Sequence, residues 1–396
     1  MIRRMAYCLV ATALVAAAGC VDADAGTGAD AATRTLNIHV SGQLRYWGDA
    51  VRAEQLALEE AGGRAGLFRI RLVVHDEASP DSDISDPEKV RRNAEEAARD
   101  PDAIAYIGDV DSGSTAISAP ILNRAGLLQV TPAATYIGLT RSEGAAPDEP
   151  EKFRPTGRRT LARVIPADHV QARAGVVYAQ ELGVKHLGVV ADETLYGPGL
   201  AQLVLSAASD AGLAAIDGGT GNTLGELLRR ARAVAAAGAD AVYFATCGTP
   251  GDMLDLVAGV ADAKVFTGDC YLGQWRDQEQ LTDRFFVTAP GGGLEETEAG
   301  SQWYARWWER IGTAPDDKLA FCYEAMHAVL AAIERAGADG ADRAAVVREF
   351  FATRDRESVL GRYSIDRNGD TTLRSYGGFT YRDGSLRFDR TLDTGG

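Results

Sequence analysis

From residue 35 onward, short runs of β-branched and other apolar residues alternate with stretches rich in Ala, Leu and Arg whose apolar positions recur every three to four residues. A compact apolar run fits a buried strand and the longer 3.6-residue period fits an amphipathic helix, so the alternation predicts parallel sheets covered by helices. The first half is expected to carry strands Leu36–Val40, Phe68–Val74, Ala103–Ile107 and Leu127–Val130, with helices over 49–62, 87–99 and 115–125. Asp86 and Pro87 mark the start of the second helix, one as a cap and the other as a ring with the right φ for a first turn. A loop at 141–159, rich in Gly, Pro and charge, has no period. Beyond it a second cycle reads helix 168–182, strand Leu187–Val190, helix 198–212, strand 213–217, helix 222–237, strand Ala241–Phe244, helix 251–261 and strand Lys264–Thr267. Strand Phe285–Thr288 then precedes helices near 299–311, 318–336 and 342–352, and a strand-like tail runs from Leu360.

The tail is too short for a core of its own. The simplest assembly is α/β with two Rossmann-like lobes joined by a three-crossing hinge: residues 35–163 with 289–357, and 164–288 with 358–396. The crossings are expected near 163–167, 287–290 and 357–362. In open α/β sheets ligands bind beyond the carboxyl ends of the strands, so the loops after the strands are where function is to be sought.

Composition narrows the partners. The chain has 396 residues and a formal net charge of −15, which repels nucleic acid and acidic membrane faces at long range. Arg3 and Arg4 precede an apolar run, Ala6 to Ala18, that is too short to span a bilayer and ends at Gly19-Cys20. Residues 1–19 are therefore expected to be an export signal, and residues 20–34, small and acidic, a tether. In an exported protein Cys247, Cys270 and Cys322 meet an oxidising compartment. Cys247 and Cys270 follow strands of consecutive βα units, so a disulfide and two small buried thiols are both open readings.

Several strand-end loops are polar. Asp109-Val110-Asp111-Ser112-Gly113-Ser114-Thr115 runs into a helix start, where hydroxyls and free N–H groups suit a carboxylate, although this loop taken alone reads first as Ser112 or Ser114 capping the helix. Thr131-Pro132-Ala133-Ala134-Thr135 adds a carbonyl and a hydroxyl beside it. Trp47 offers a ring to cover a ligand's apolar part, or to pack on its own helix. Tyr196, in Tyr-Gly-Pro-Gly, and Asp269, after Thr267-Gly268, offer a phenol and a carboxylate from the second lobe; a Gly/Pro turn and an acidic cap are the bland alternatives. The carboxylates of Asp109 and Asp111 suggest a ligand with a second cationic group, or else a solvated loop surface.

In order and spacing these motifs resemble the type I periplasmic binding proteins, in particular the leucine/isoleucine/valine-binding branch of ABC transporter receptors, over nearly the whole chain after the leader. The resemblance implies that Trp47 covers the side-chain pocket, and that Ser112, with Gly113 beside it, binds the ligand carboxylate. It further implies that Ala133 carbonyl and Thr135 hydroxyl take the ammonium, and that Tyr196 and Asp269 arrive from the second lobe. It implies a small amino acid-like ligand, ABC permease subunits as partners, no cofactor and no catalysis. The small residues before Cys20 resemble a lipobox, implying acylation of Cys20 and an extracytoplasmic protein whose only contact with the membrane is that lipid. Asp111, Asp269 and Thr246-Cys247-Gly248 depart from the branch's pattern, so branched-chain selectivity does not carry over.

Enzymatic signatures are missing: there is no Gly-x-Ser-x-Gly elbow, no Gly-Lys for a P-loop and no His-Glu-x-x-His pair. Asp366-x-Asn368-x-Asp370 has Thr371 where a calcium loop needs glycine, so a turn is expected. The rival to an importer receptor is the same clamp reporting its ligand to a regulatory partner.

Overall fold

The structure is a computed structural model that describes residues 34–79, 85–248, 250–260, 262–271 and 283–395. The leader, Cys20 and most of the tether lie outside the described residues.

The first half folds as β1 (Thr35–Gly42), α1 (Leu44–Glu60), β2 (Arg64–Ala65), β3 (Phe68–Asp76), α2 (Pro87–Arg99), β4 (Ala103–Ile107), α3 (Ser112–Arg124), β5 (Leu128–Thr131) and β6 (Leu161–Arg163). These strands make one sheet in the order β2-β3-β1-β4-β5-β6, parallel except for β2. The second cycle runs α4 (Asp168–Glu181), β7 (His186–Ala191), α5 (Tyr196–Asp210), β8 (Ala214–Thr220), α6 (Leu224–Ala236), β9 (Ala241–Ala245), α7 (Pro250–Gly259), β10 (Lys264–Thr267) and β11 (Phe285–Pro290). After α8 (Glu298–Ile311), α9 (Leu319–Ala336) and α10 (Arg343–Phe351), the hairpin β12 (Tyr376–Arg382) and β13 (Ser385–Leu392) closes the chain. The second sheet has the order β13-β12-β11-β10-β9-β7-β8, parallel apart from the hairpin. Each sheet, with the helices that cover it, has its own hydrophobic core and forms one lobe.

Local chemistry accounts for the element ends. The Asp86 carboxylate accepts from the amides of Glu88 and Lys89, and Pro87 supplies the first turn of α2. Buried strands such as β4 and β9 are apolar at every position because helices cover both faces. Helix α9, apolar on almost every side, is enclosed between α1, α8 and the first sheet, with Trp303 and Trp307 of α8 fully buried in that core.

The structure departs from the sequence pattern in three places. Helix α1 begins at Leu44, not at residue 49, and carries a kink at Trp47 (φ −113°, ψ 22°), so the aromatic motif opens the helix instead of preceding it. Strand β6 has only three residues, too few for a periodic signal. The segment from Leu360 is not strand at first: Leu360, Tyr363, Ile365 and Leu373 belong to the first lobe's core. Arg163, buried on β6, holds this segment through Asp370, so the chain joins the second sheet only at β12. Residues 360–373 thus pack with the first sheet, and the chain enters the second sheet at Tyr376.

Candidate ligand-binding site

In each sheet the strand order reverses, at β1/β4 in the first and β7/β9 in the second, and the candidate residues sit on loops at the carboxyl ends of these and the adjoining strands. After β4, Asp111 caps α3: its carboxylate accepts from Ser114 N at 2.7 Å and from Ser114 Oγ at 2.7 Å. The cap is thus Asp111, and Ser112 is free of that duty. The buried Ser112 hydroxyl instead accepts from Tyr136 N at 3.2 Å, tying the α3 start to the loop after β5. The amides of Ser112 and of the exposed Gly113 lie in the first helical turn, where N–H groups lack intrahelical acceptors.

Asp109 is wholly buried, accepting from Tyr106 OH at 2.8 Å and Ser118 Oγ at 2.5 Å, and burial pushes its carboxyl above the usual range. The expected solvated loop, or a second cation site at Asp109 and Asp111, gives way to bracing: these two carboxylates hold the β4–α3 turn.

The loop after β5 is built from inside. Thr131 Oγ1 accepts from Ala134 N at 2.9 Å and donates to Asp109 O at 2.8 Å. Arg163 donates to the carbonyls of Ala134 (3.1 Å) and Tyr136 (3.0 Å) while pairing with Asp370 at 2.9 Å. Burial alone would raise the Asp370 carboxyl, but Arg163, Thr140 and Arg141 outweigh it and hold it below the usual range. Ala133 is half-buried and Thr135 buried; the Thr135 carbonyl accepts from Asp168 N at 3.0 Å, the first residue of α4. Asp366 and Asp370 form a turn bound to arginines, and among the described residues no group of His, Cys, Asp and Glu is arranged to hold a metal.

In the second lobe Asp269 and Tyr196 stand together, and the Asp269 charge acts on Asp168, whose amide is bonded to Thr135 of the first lobe. Gln171 of α4 donates to Asp269 Oδ1 at 3.1 Å, and Tyr196 OH lies 3.5 Å from that oxygen and 3.3 Å from Gln171 Oε1. The ring of Tyr196 belongs to the second lobe's core, and its hydroxyl alone faces Gln171 and Asp269. Gly268 is required here, since a Cβ would stand 2.2 Å from Tyr196 OH. A disulfide joins Cys247 and Cys270, with Cα atoms 5.3 Å apart, and ties the loop after β9 to the one bearing Asp269.

Three residues that sequence reasoning missed complete the cluster. Lys318, immediately before α9, lies 3.5 Å from Asp269 Oδ2 and 5.5 Å from the centroid of the Trp47 ring. Gln171 organises Asp269. Asp168 is fully buried, and its carboxylate oxygens lack hydrogen-bond partners of good geometry. Burial and the charge of Asp269 push its carboxyl up to about 7, with Thr135 and Arg163 pulling the other way. Asp168 opening a helix reads in sequence as an ordinary first-turn acid, and Lys318 as a solvated residue in Asp-Asp-Lys; only the tertiary fold turns both inward.

The lobes touch beside this cluster. The Tyr136 ring packs where a Cβ on Gly199 of α5 would come within 2.6 Å, and Leu195 and Leu203 pack on the first lobe's Tyr136–Leu139 cluster. Among the described residues, two cavities lie away from this cluster, one lined by Asp217, Arg229 and Arg230 and another by Arg141, Arg154 and Arg159.

The sequence profile of the periplasmic binding protein family matches residues 36–384, nearly all of the described chain. The chain belongs to the periplasmic binding protein family. This periplasmic binding protein is 24% identical over 348 residues to an amino acid binding protein of Pseudomonas aeruginosa, covering 84% of each chain. Its fold matches a leucine binding protein from Thermotoga maritima with a TM-score of 0.76 at 22% identity, covering 90% of this chain and 99% of the other. It also matches an ABC transporter substrate-binding protein from Desulfitobacterium hafniense in complex with Leu, TM-score 0.74 at 21% identity, over 90% and 100% of the two chains. As a periplasmic binding protein it is a solute-binding protein of extracytoplasmic location, not an enzyme.

Proposed function

We propose that this protein is the receptor of an ABC importer, anchored by an acylated Cys20, that holds an amino acid or a closely related small polar solute between its lobes and presents it to a permease. The observation that carries the reading is the convergence of strand-end groups from both sheets: Ser112 and Thr135 from one, Asp269 and the Tyr196 hydroxyl from the other, linked through Asp168 and Gln171. The amides of Ser112 and Gly113 with the Ser112 hydroxyl form a donor set for a ligand carboxylate. Ala133 carbonyl and Thr135 hydroxyl flank it. The names of the P. aeruginosa relative and of the two solved structures support an amino acid-like ligand and an importer partner.

We take the lobes to be residues 34–165 with 294–373, and 168–290 with 376–395, rotating about the three intervening segments. Closure around the solute is then the signal the permease reads. A thermal-shift screen of amino acids, their deaminated analogues, amides and short carboxylates tests the reading, because a ligand that binds only the folded form raises the melting temperature. At least one class is expected to raise it, and Ser112→Ala with Thr135→Ala is expected to abolish the rise while leaving the unliganded melting temperature within a few degrees. A rise that survives in the double variant places the ligand elsewhere.

A further inference from the structure

The cation that the Asp269 carboxylate requires is already supplied by the protein. Lys318 Nζ stands 3.5 Å from Asp269 Oδ2, with both side chains buried to all but 6% and 5% of their surface. The same ammonium lies over the Trp47 ring, 5.5 Å from its centroid, within cation–π range. The other oxygen of Asp269 is taken by the Gln171 amide and approached by the Tyr196 hydroxyl. Lys318 belongs to the first lobe, at the start of α9, whereas Asp269 lies in the loop after β10 of the second, so the pair also bridges the lobes. Trp47 and Asp269 are the two groups expected to receive a ligand's apolar part and its ammonium.

An incoming ammonium would have to displace Lys318 or share one carboxylate with it, leaving a surplus positive charge in a site withdrawn from water. The second acid of the layer, Asp168, offers limited relief, since burial holds it largely protonated below neutral pH. A ligand that brings a carboxylate and no ammonium meets no such conflict. Its carboxylate takes the Ser112 and Gly113 donors, and the Lys318–Asp269 pair stays intact beneath its apolar part.

We propose that Lys318 stands in for the ligand's ammonium, and that the preferred solute is a small carboxylic acid without an α-amino group, such as a 2-oxo or aromatic acid. This rests on the inter-lobe site proposed above.

Calorimetric titration of the purified protein with matched probes tests it: leucine against 4-methyl-2-oxopentanoate, phenylalanine against phenylpyruvate, and benzoate. The better-bound oxo acid is expected to bind at least tenfold more tightly than its amino acid partner. Lys318→Met is expected to shift that ratio at least tenfold toward the amino acid, and Lys318→Met with Asp269→Asn to cancel the gain. An oxo-acid preference below tenfold in the unaltered protein, or a ratio unmoved by Lys318→Met, overturns the proposal. The ratio in the unaltered protein decides the matter if the variant does not fold. Tight amino acid binding, or binding of none of these probes, would sink this proposal while leaving the receptor reading to the thermal-shift screen.

Discussion

A carboxyl group that is fully buried and raised to about 7 makes stability depend on pH in a definite direction. The folded protein keeps a proton on Asp168 that the unfolded chain, titrating near 4, has released, so between about pH 4 and pH 7 the folded state binds more protons and stability falls as pH rises. Asp168→Asn is therefore expected to stabilise the unliganded protein by about 4 kcal/mol at pH 8 and to change it little at pH 4. Melting curves at the two pH values check this; equal effects at both would show that Asp168 is ionised in the fold at low cost. Residue by residue, the sequence exposed the hydroxyls and the Asp269 carboxylate because they stand in polar loops after apolar strands. It concealed Asp168, Gln171, Lys318 and Arg163, whose polar character suggests a solvated surface. Their burial is decided by partners remote in sequence, such as Asp370 for Arg163 and Asp269 for Lys318.

At the scale of elements, periodicity and caps located nearly every strand and helix longer than four residues, and α2, β4 and β10 match to the residue. Short or aperiodic pieces escaped: β6 is held by pairing with β5, and residues 360–373 by packing into the first core, neither of which leaves a local pattern. The Tyr-Gly-Pro-Gly turn was legible as a motif, but not for the reason the fold reveals. Gly199 lies in the first turn of α5 with Tyr136 of the opposite lobe against its backbone. In a helix alanine is favoured over glycine by about 1 kcal/mol, so Gly199→Ala is expected to leave the melting temperature of the unliganded protein unchanged or higher. The added methyl meets the Tyr136 ring, so ligand affinity is expected to fall about tenfold, on the scale of about 1.4 kcal/mol. Calorimetry checks the pair of effects; unchanged affinity would mean that the Tyr136–Gly199 contact is not part of the liganded state.

For the whole molecule, two lobes each with its own core are joined by three strands of chain and meet at contacts that include the Lys318–Asp269 pair, the packing of Gly199, Leu195 and Leu203 near Tyr136, and the Asp168–Thr135 hydrogen bond. Contacts of this extent allow relative motion of the lobes. A ligand gripped from both sides shifts the population toward the closed arrangement only by its difference in affinity between the two. The most direct measurement of that grip is small-angle X-ray scattering of the protein without and with a saturating amount of the solute that raises its melting temperature most. A smaller radius of gyration in the bound state is the expected result. An unchanged radius of gyration with the solute demonstrably bound would contradict a site built from both lobes.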